Sequence, residues 1–292
     1  MTVLETIHID TWSGPIESAV RSRALDALEE GRVLFFPRLA FALQADERRL
    51  LGADSADGKA KNISLDPATR GCQGTALKGA ELERLRGMME RFAQSAAGLV
   101  AALLPAYAAS LERARTSFRP VEIAGRAYSP LKDDRRLHVD AFPSRPTRGR
   151  RILRFFTNIA TDGEPRIWRV GEPFEDFARQ FLPRIGNPIA GSGWLLASLG
   201  ITKGRRSAYD HVMLGLHDGA KRDDAYQAAA PQAEIAFPPG ASWLVFTDQI
   251  LHAALGGRAA LEQTFHLDVA AMADPARAPL RVLERLSGRR LV

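Results

Sequence analysis

The feature that most constrains this chain is a change of texture near Phe118. Beyond it, short β-type runs alternate with turn residues at 120–128, 151–159, 165–170, 207–216, 234–237, 242–246 and 263–269. Short strands punctuated by Gly, Pro or Asp suit a closed or double-sheet β architecture, here a double-stranded β-helix, or jelly roll. The first third reads differently. An amphipathic helix is expected at 18–30, stopped by Gly31, and a buried strand at 32–37, closed by Pro37. A second helix is expected at 45–51. A longer one at 80–104 carries Leu82, Leu85, Met88, Met89 and Phe92 at helical spacing and ends before Pro105. A further helix is read at 174–181.

No internal repeat or low-complexity linker interrupts the 292 residues, so one α+β domain is expected. Its parts are a mainly helical region at 1–117, the jelly-roll core at 118–270 and a helical tail at 271–292. In that tail Leu280, Leu283 and Leu286 oppose Arg281, Arg285, Arg289 and Arg290. Such a helix could lie on an anionic membrane. The favoured reading is a helix packed on the domain with solvated arginines.

Composition narrows the chemistry. The lone Cys72 excludes an intramolecular disulfide framework and a Cys-rich zinc or iron–sulfur centre. No run approaches the roughly 20 apolar residues of a membrane span. Glu5 and Asp10 stand where a secretory leader would be basic and then apolar, so a cytoplasmic protein is expected. The net charge is +6, and only six of the 40 basic residues are lysines. A coding bias toward Arg accounts for the ratio as readily as function does, but the positive total favours an anionic partner. No helix-turn-helix, RNP or zinc-finger pattern points to nucleic acid.

The suggestive run is Arg136-Leu-His138-Val-Asp140-Ala-Phe-Pro143. Residues i and i+2 of an extended segment point the same way, so His138 and Asp140 can reach one ion. A distant histidine would complete a two-His-one-carboxylate face, as on Fe(II). The pair alone is weak evidence, because His266-Leu-Asp268 repeats it. Order separates the two, since only His138 has histidines downstream. His252 stands out, following a Pro239-Gly240 turn and a hydrophobic strand, 114 residues after His138. His211 and His217 fall on the run at 207–216 and just beyond it, as pocket or core residues, and His8 reads as surface.

This order of features resembles the Fe(II)/2-oxoglutarate-dependent oxygenases. Lys61-Asn-Ile-Ser-Leu, Thr116-Ser-Phe-Arg119-Pro-Val-Glu-Ile, His138-Val-Asp140-Ala-Phe-Pro-Ser-Arg-Pro, Tyr209-Asp-His-Val-Met-Leu and Phe246-Thr-Asp-Gln-Ile-Leu-His252-Ala-Ala resemble, more narrowly, the Kdo hydroxylases. The resemblance spans nearly the whole chain. It implies Fe(II) held by His138, Asp140 and His252, with 2-oxoglutarate and O2 as co-substrates. The implied reaction is hydroxylation at C3 of the Kdo sugar of a Kdo–lipid A glycolipid, giving Ko, at the cytoplasmic face of the inner membrane. Peripheral membrane association would follow.

One departure concerns the 2-oxoglutarate 5-carboxylate, which many relatives clamp with an Arg eleven residues after the distal His. Here that position is Gln263. Arg154 is the preferred substitute, with Tyr128 as a hydrogen-bond donor and Arg258 as a fallback. Arg119, Arg126, Lys61 and Trp168 are the expected substrate contacts: cations for acidic groups, and an indole for a sugar ring. Plain surface charge and core packing remain the alternatives for each. Two rival functions stay open: a 2-oxoglutarate oxygenase with another small-molecule or protein substrate, and a non-enzymatic basic membrane- or nucleic-acid-binding module.

Overall fold

The computed structural model describes residues 2–125, 128–189 and 191–292. The N-terminal part carries β1 (Leu4–Thr6), α1 (Ser18–Glu29), β2 (Val33–Phe36), β3 (Ile63–Leu65), β4 (Cys72–Gln73), α2 (Gly79–Leu103) and β5 (Glu112–Arg119). β6 (Arg151–Asn158), β7 (Arg166–Val170), α3 (Phe174–Phe181), α4 (Ser192–Ser198), α5 (Ala208–Arg222) and α6 (Asp224–Ala229) follow. The chain closes with β8 (Ala233–Phe237), β9 (Ser242–Phe246), β10 (His252–Gly256), β11 (Ala260–Leu267) and α7 (Pro279–Ser287).

The strands form two sheets, one of eight strands in the order β1-β2-β9-β6-β11-β5-β3-β4 and one of three in the order β10-β7-β8. Among the described residues, β1–β2 is the only parallel pair and the other ladders are antiparallel. Period-two alternation sends β6 side chains to two different cores. Leu153 and Phe155 join the layer under the helices, with Leu85, Met88, Phe92, Leu99 and Leu103 of α2. Phe156 faces the small sheet, with Trp168, Phe237, Trp243 and Val245. There Trp243 stacks on Phe237 at 4.0 Å and on Phe156 at 5.1 Å, both with interplanar angles of 9°. Stacked aromatics of this kind add about 0.5–1.5 kcal/mol per pair beyond the area they bury.

Several expectations need correction. The run at 207–216 is not a strand but the first half of α5. Its N-terminus is a capping box, Ser207 and Asp210 each bonding the other's backbone, and Tyr209, Val212, Met213 and Leu216 form one buried helical face. No described residue of the run at 120–128 is in a strand either, 126 and 127 lying outside the described residues: β5 begins earlier, at Glu112, and ends at Arg119, before Pro120. The helix expected at 45–51 shrinks to a 3-10 turn over Arg48–Leu51. The region 1–117 is less helical than expected, because β1 to β4 and most of β5 complete the large sheet. The tail helix α7 buries Leu280, Val282 and Leu283, so its apolar face is already occupied. Among the described residues, no helix is long and apolar enough to cross a membrane.

Candidate active site

The space between the sheets is aromatic at one end and charged at the other. The charged end opens into a cavity of about 400 Å³. β6 contributes Arg154 and Phe156, β11 Glu262, Thr264 and His266, and β5 Arg115, Ser117 and Arg119. The small sheet contributes Arg166, Trp168, His252 and Ala254. Each set repeats at i and i+2, as one face of a strand requires, except that Ala114 of β5 also lines the cavity where the β5–β11 register shifts.

His138 and His252 meet as an isolated antiparallel bridge that extends the small sheet. Their backbones exchange two hydrogen bonds, His138 N to His252 O at 3.1 Å and His252 N to His138 O at 2.9 Å. Asp140 N donates to Thr247 O at 2.8 Å, fixing the carboxylate beside the pair. One ligand atom each from His138, Asp140 and His252 lies within 4.8 Å of the other two, the only such group of three or more among the described residues. His138 Nδ1 faces Arg136 O at 2.7 Å, and His252 Nδ1 faces Ile250 O at 2.9 Å. Each Nδ1 therefore carries the proton it donates, which leaves both Nε2 lone pairs for an ion.

Electrostatics agree with that assignment. Burial lowers the His138 pKa well below its ordinary value, helped by the neighbouring His252, and burial also lowers that of His252. Both rings are thus neutral near pH 7. Burial alone would raise the Asp140 pKa, but the lowering interactions, led by the Arg154 guanidinium, outweigh it and the carboxyl is held ionised. Two neutral imidazoles and one carboxylate match the donor set of a ferrous centre. The cavity wall also offers the buried Trp168 indole N–H, which has no acceptor among the described residues. An acidic guest would supply one.

Six cationic side chains and three carboxylates line the cavity. Arg154 Nη2 lies 3.0 Å from Asp140 Oδ2, and its Nη1 lies 3.1 Å from Glu262 Oε1. Glu262 Oε2 accepts from Arg119 Nη2 at 2.7 Å. Arg166 is buried, donates to Gly257 O at 2.8 Å and is pushed down to about 9 by burial and then by Arg119. It remains charged near neutral pH.

The expected contacts sort as follows. Arg154, Arg119, Lys61 and Trp168 line the cavity. Lys61 is tied to Asp134 at 2.8 Å, and one face of the Trp168 ring is covered by His252, 5.1 Å away and tilted by 22°. Tyr128 does not line it: its ring lies under Lys61 Nζ at 5.4 Å, around a small adjoining void. Arg258 is also outside, because it sits on the surface and pairs with Asp162 at 2.6 Å. Arg126 falls outside the described residues. Gln263 points away, into the helical side, where it accepts from Thr116 Oγ1 at 2.7 Å. Its cavity-facing neighbours are Glu262 and Thr264, so a basic residue at 263 would not have reached this space.

Reading the sequence missed Arg166 and Glu262. The signal for Arg166 was present, since it precedes Trp168 by two on a strand already expected. Glu262 carried no signal, because its value lies in cross-strand neighbours. His217 also enters the site: its ring stands edge-on to His138, centroids 5.3 Å apart, on α5. His266 lines the cavity while Asp268 is outside it.

The comparisons decide the family. The family described as 3-deoxy-D-manno-oct-2-ulosonic acid (Kdo) hydroxylase matches residues 11–290. This chain belongs to the Kdo hydroxylases. It is similar to the Kdo hydroxylase KdoO, a non-heme Fe(II) alphaketoglutarate-dependent dioxygenase, whose cobalt(II) complex aligns at a TM-score of 0.97 and 47% identity over 100% of this chain and 98% of that one. The KdoO complex with alphaketoglutarate and Fe(III) aligns at 0.95 and 46% identity, covering 99% and 97%. The complex with succinate and Fe(III) aligns at 0.96 and 46% identity, covering 100% and 98%. No curated protein sequence matches the chain.

Proposed function

We propose that this chain is an Fe(II)/2-oxoglutarate-dependent dioxygenase that hydroxylates the Kdo sugar of a Kdo–lipid A glycolipid at C3. The observation that carries the reading is the convergence of His138, Asp140 and His252 at the base of a cationic cavity, in a chain alignable end to end with KdoO. The two sheets are then the sides of a jelly roll, and residues 1–292 act as one domain. The enzyme works at the cytoplasmic face of the inner membrane, where its lipid-borne acceptor is exposed.

When bound, the ferrous ion with its co-substrates supplies the oxidation that places a hydroxyl on carbon. His138, Asp140 and His252 hold the ion, their Nδ1 hydrogen bonds keeping both imidazoles in the ligating tautomer. Arg154, Arg119 and Arg166 present guanidinium groups suited to carboxylates, of which 2-oxoglutarate carries two and Kdo one. Glu262 spaces Arg119 from Arg154. Trp168 packs on His252, offers its free N–H to an anionic oxygen and keeps bulk water from one side of the site.

Anaerobic titration with Fe(II) and 2-oxoglutarate tests the reading. The wild type should develop a visible charge-transfer band that His252→Ala lacks; a band of equal strength in the variant removes His252 from the site. For the substrate, the Kdo–lipid A glycolipid from a deletion strain, analysed with its Kdo still attached, should be lighter by one oxygen; an unchanged mass refutes the Kdo assignment.

A further inference from the structure

Four of the six large hydrophobic side chains exposed among the described residues fall in one short segment: Trp194, Leu195, Leu199 and Ile201, each 52–66% exposed. Leu195 and Leu199 stand four apart on α4 and its C-cap, on one face, with Trp194 beside them. A short surface helix rarely leaves such residues in water without a partner. The flanking chemistry says which partner. From 177 to 209 the chain has no Asp or Glu, but it has Arg179, Arg184, Lys203, Arg205 and Arg206. Lys203, Arg205 and the nearby Arg148 have no carboxylate in ion-pair range among the described residues, unlike Arg184 and Arg258. Apolar side chains rimmed by uncompensated cations fit the boundary between acyl chains and anionic headgroups, not a second copy of an equally basic chain.

Position strengthens the assignment. Lys203 N donates to Ser144 O at 2.8 Å, and the Arg206 guanidinium bonds Pro143 O. Residues 143 and 144 lie between Phe142 and Arg145, both of which line the cavity. The apolar segment is therefore fastened to the rim of the active site. We infer that the 191–206 segment is a docking surface that seats the cavity mouth on an anionic phospholipid bilayer. This rests on the lipid-borne acceptor proposed above and assigns the contact to this segment, with α7 left to the core.

The test is co-sedimentation of the full chain with phosphatidylglycerol vesicles and with phosphatidylcholine vesicles, followed also by tryptophan emission. Of the four tryptophans, Trp194 is the exposed one, so a blue shift on vesicle addition reports its insertion. The wild type should partition onto phosphatidylglycerol and release with salt. Trp194→Ser/Leu199→Ser/Ile201→Ser should weaken partition by at least about tenfold, and Lys203→Glu/Arg205→Glu should weaken it selectively on phosphatidylglycerol. Co(II) binding and far-UV circular dichroism should match the wild type in both. Wild-type protein that ignores both vesicle types, variants that partition as well as it does, or a dimer that the triple variant merely dissolves would each overturn the assignment. Partition needs neither iron nor turnover, so failure of the iron titration and failure of docking are distinguishable.

Discussion

Arg154 Nη2 sits 3.0 Å from Asp140 Oδ2, so one guanidinium directly touches the carboxylate of the candidate metal triad. The same side chain reaches Glu262, which in turn holds Arg119. The charged half of the inter-sheet layer is thus one connected network, and the first expectation follows from cutting it. Arg154→Met should weaken 2-oxoglutarate binding about 10- to 100-fold, the value of one or two hydrogen bonds to a charged group. Co(II) binding, read from its absorption spectrum, should survive. Loss of both together would mean that Arg154 acts only by positioning Asp140.

Acid should destabilise the metal-free protein earlier than carboxylate titration would. His138, His252 and His266 all have pKa values lowered in the fold, chiefly by burial. The unfolded chain binds protons that the folded one refuses, so stability is full above about pH 6.5 and falls as pH drops below it. Each histidine contributes a slope approaching about 1.4 kcal/mol per pH unit. Urea midpoints with chelator at pH 7.5 and 5.5 measure this, and His266→Gln should flatten the dependence.

Deep in the fold, Arg151 and Asp248 pair at 2.8 Å with essentially no exposure. Burial raises the Asp248 pKa more than Arg151 lowers it, so the pair itself adds little net stability. Removing one partner is another matter. Asp248→Ala strands a buried guanidinium and should cost about 3–5 kcal/mol in urea unfolding. Because Asp248 lies in the turn leading to His252, the same variant should lose metal affinity.

The capping box of α5 also ties down the cavity rim. Asp210 accepts from Ser207 N at 2.8 Å, Thr147 N at 2.8 Å and Arg148 N at 3.0 Å. Ser207→Ala should cost about 0.5–2 kcal/mol, the worth of an N-cap. Asp210→Ala should cost more, and it should raise amide exchange at 147 and 148, which Ser207→Ala leaves protected.

Much of the molecule was legible in the residues, for identifiable reasons. The helix containing Leu85, Met88, Met89 and Phe92 and the strand beginning at Arg151 have unmixed periods, and both lie within a residue or two of their expected bounds. That His138, Asp140 and His252 converge was readable because a two-His-one-carboxylate set demands particular residue types. The stretch 207–216 misled because Tyr, His, Val and Met suit strands, although Ser207 and Asp210 at capping-box spacing argued for a helix start. β3 and β4 are too short to leave a period; β3 forms because β5 offers it an edge, and β4 because β3 then offers one in turn. Glu262 and Tyr128 show the remaining limit. Which side chains share a cavity depends on register between strands far apart in the chain, and no local pattern encodes that.

The reciprocal main-chain bonds between His138 and His252 make the distance between two imidazoles a property of the β-ladder, not of any ion. A floppy chelate would have to surrender freedom when it captures its guest. Here that ordering is completed when the protein folds, so loading and unloading should proceed without remodelling, and discrimination among divalent ions falls to donor softness and coordination preference alone.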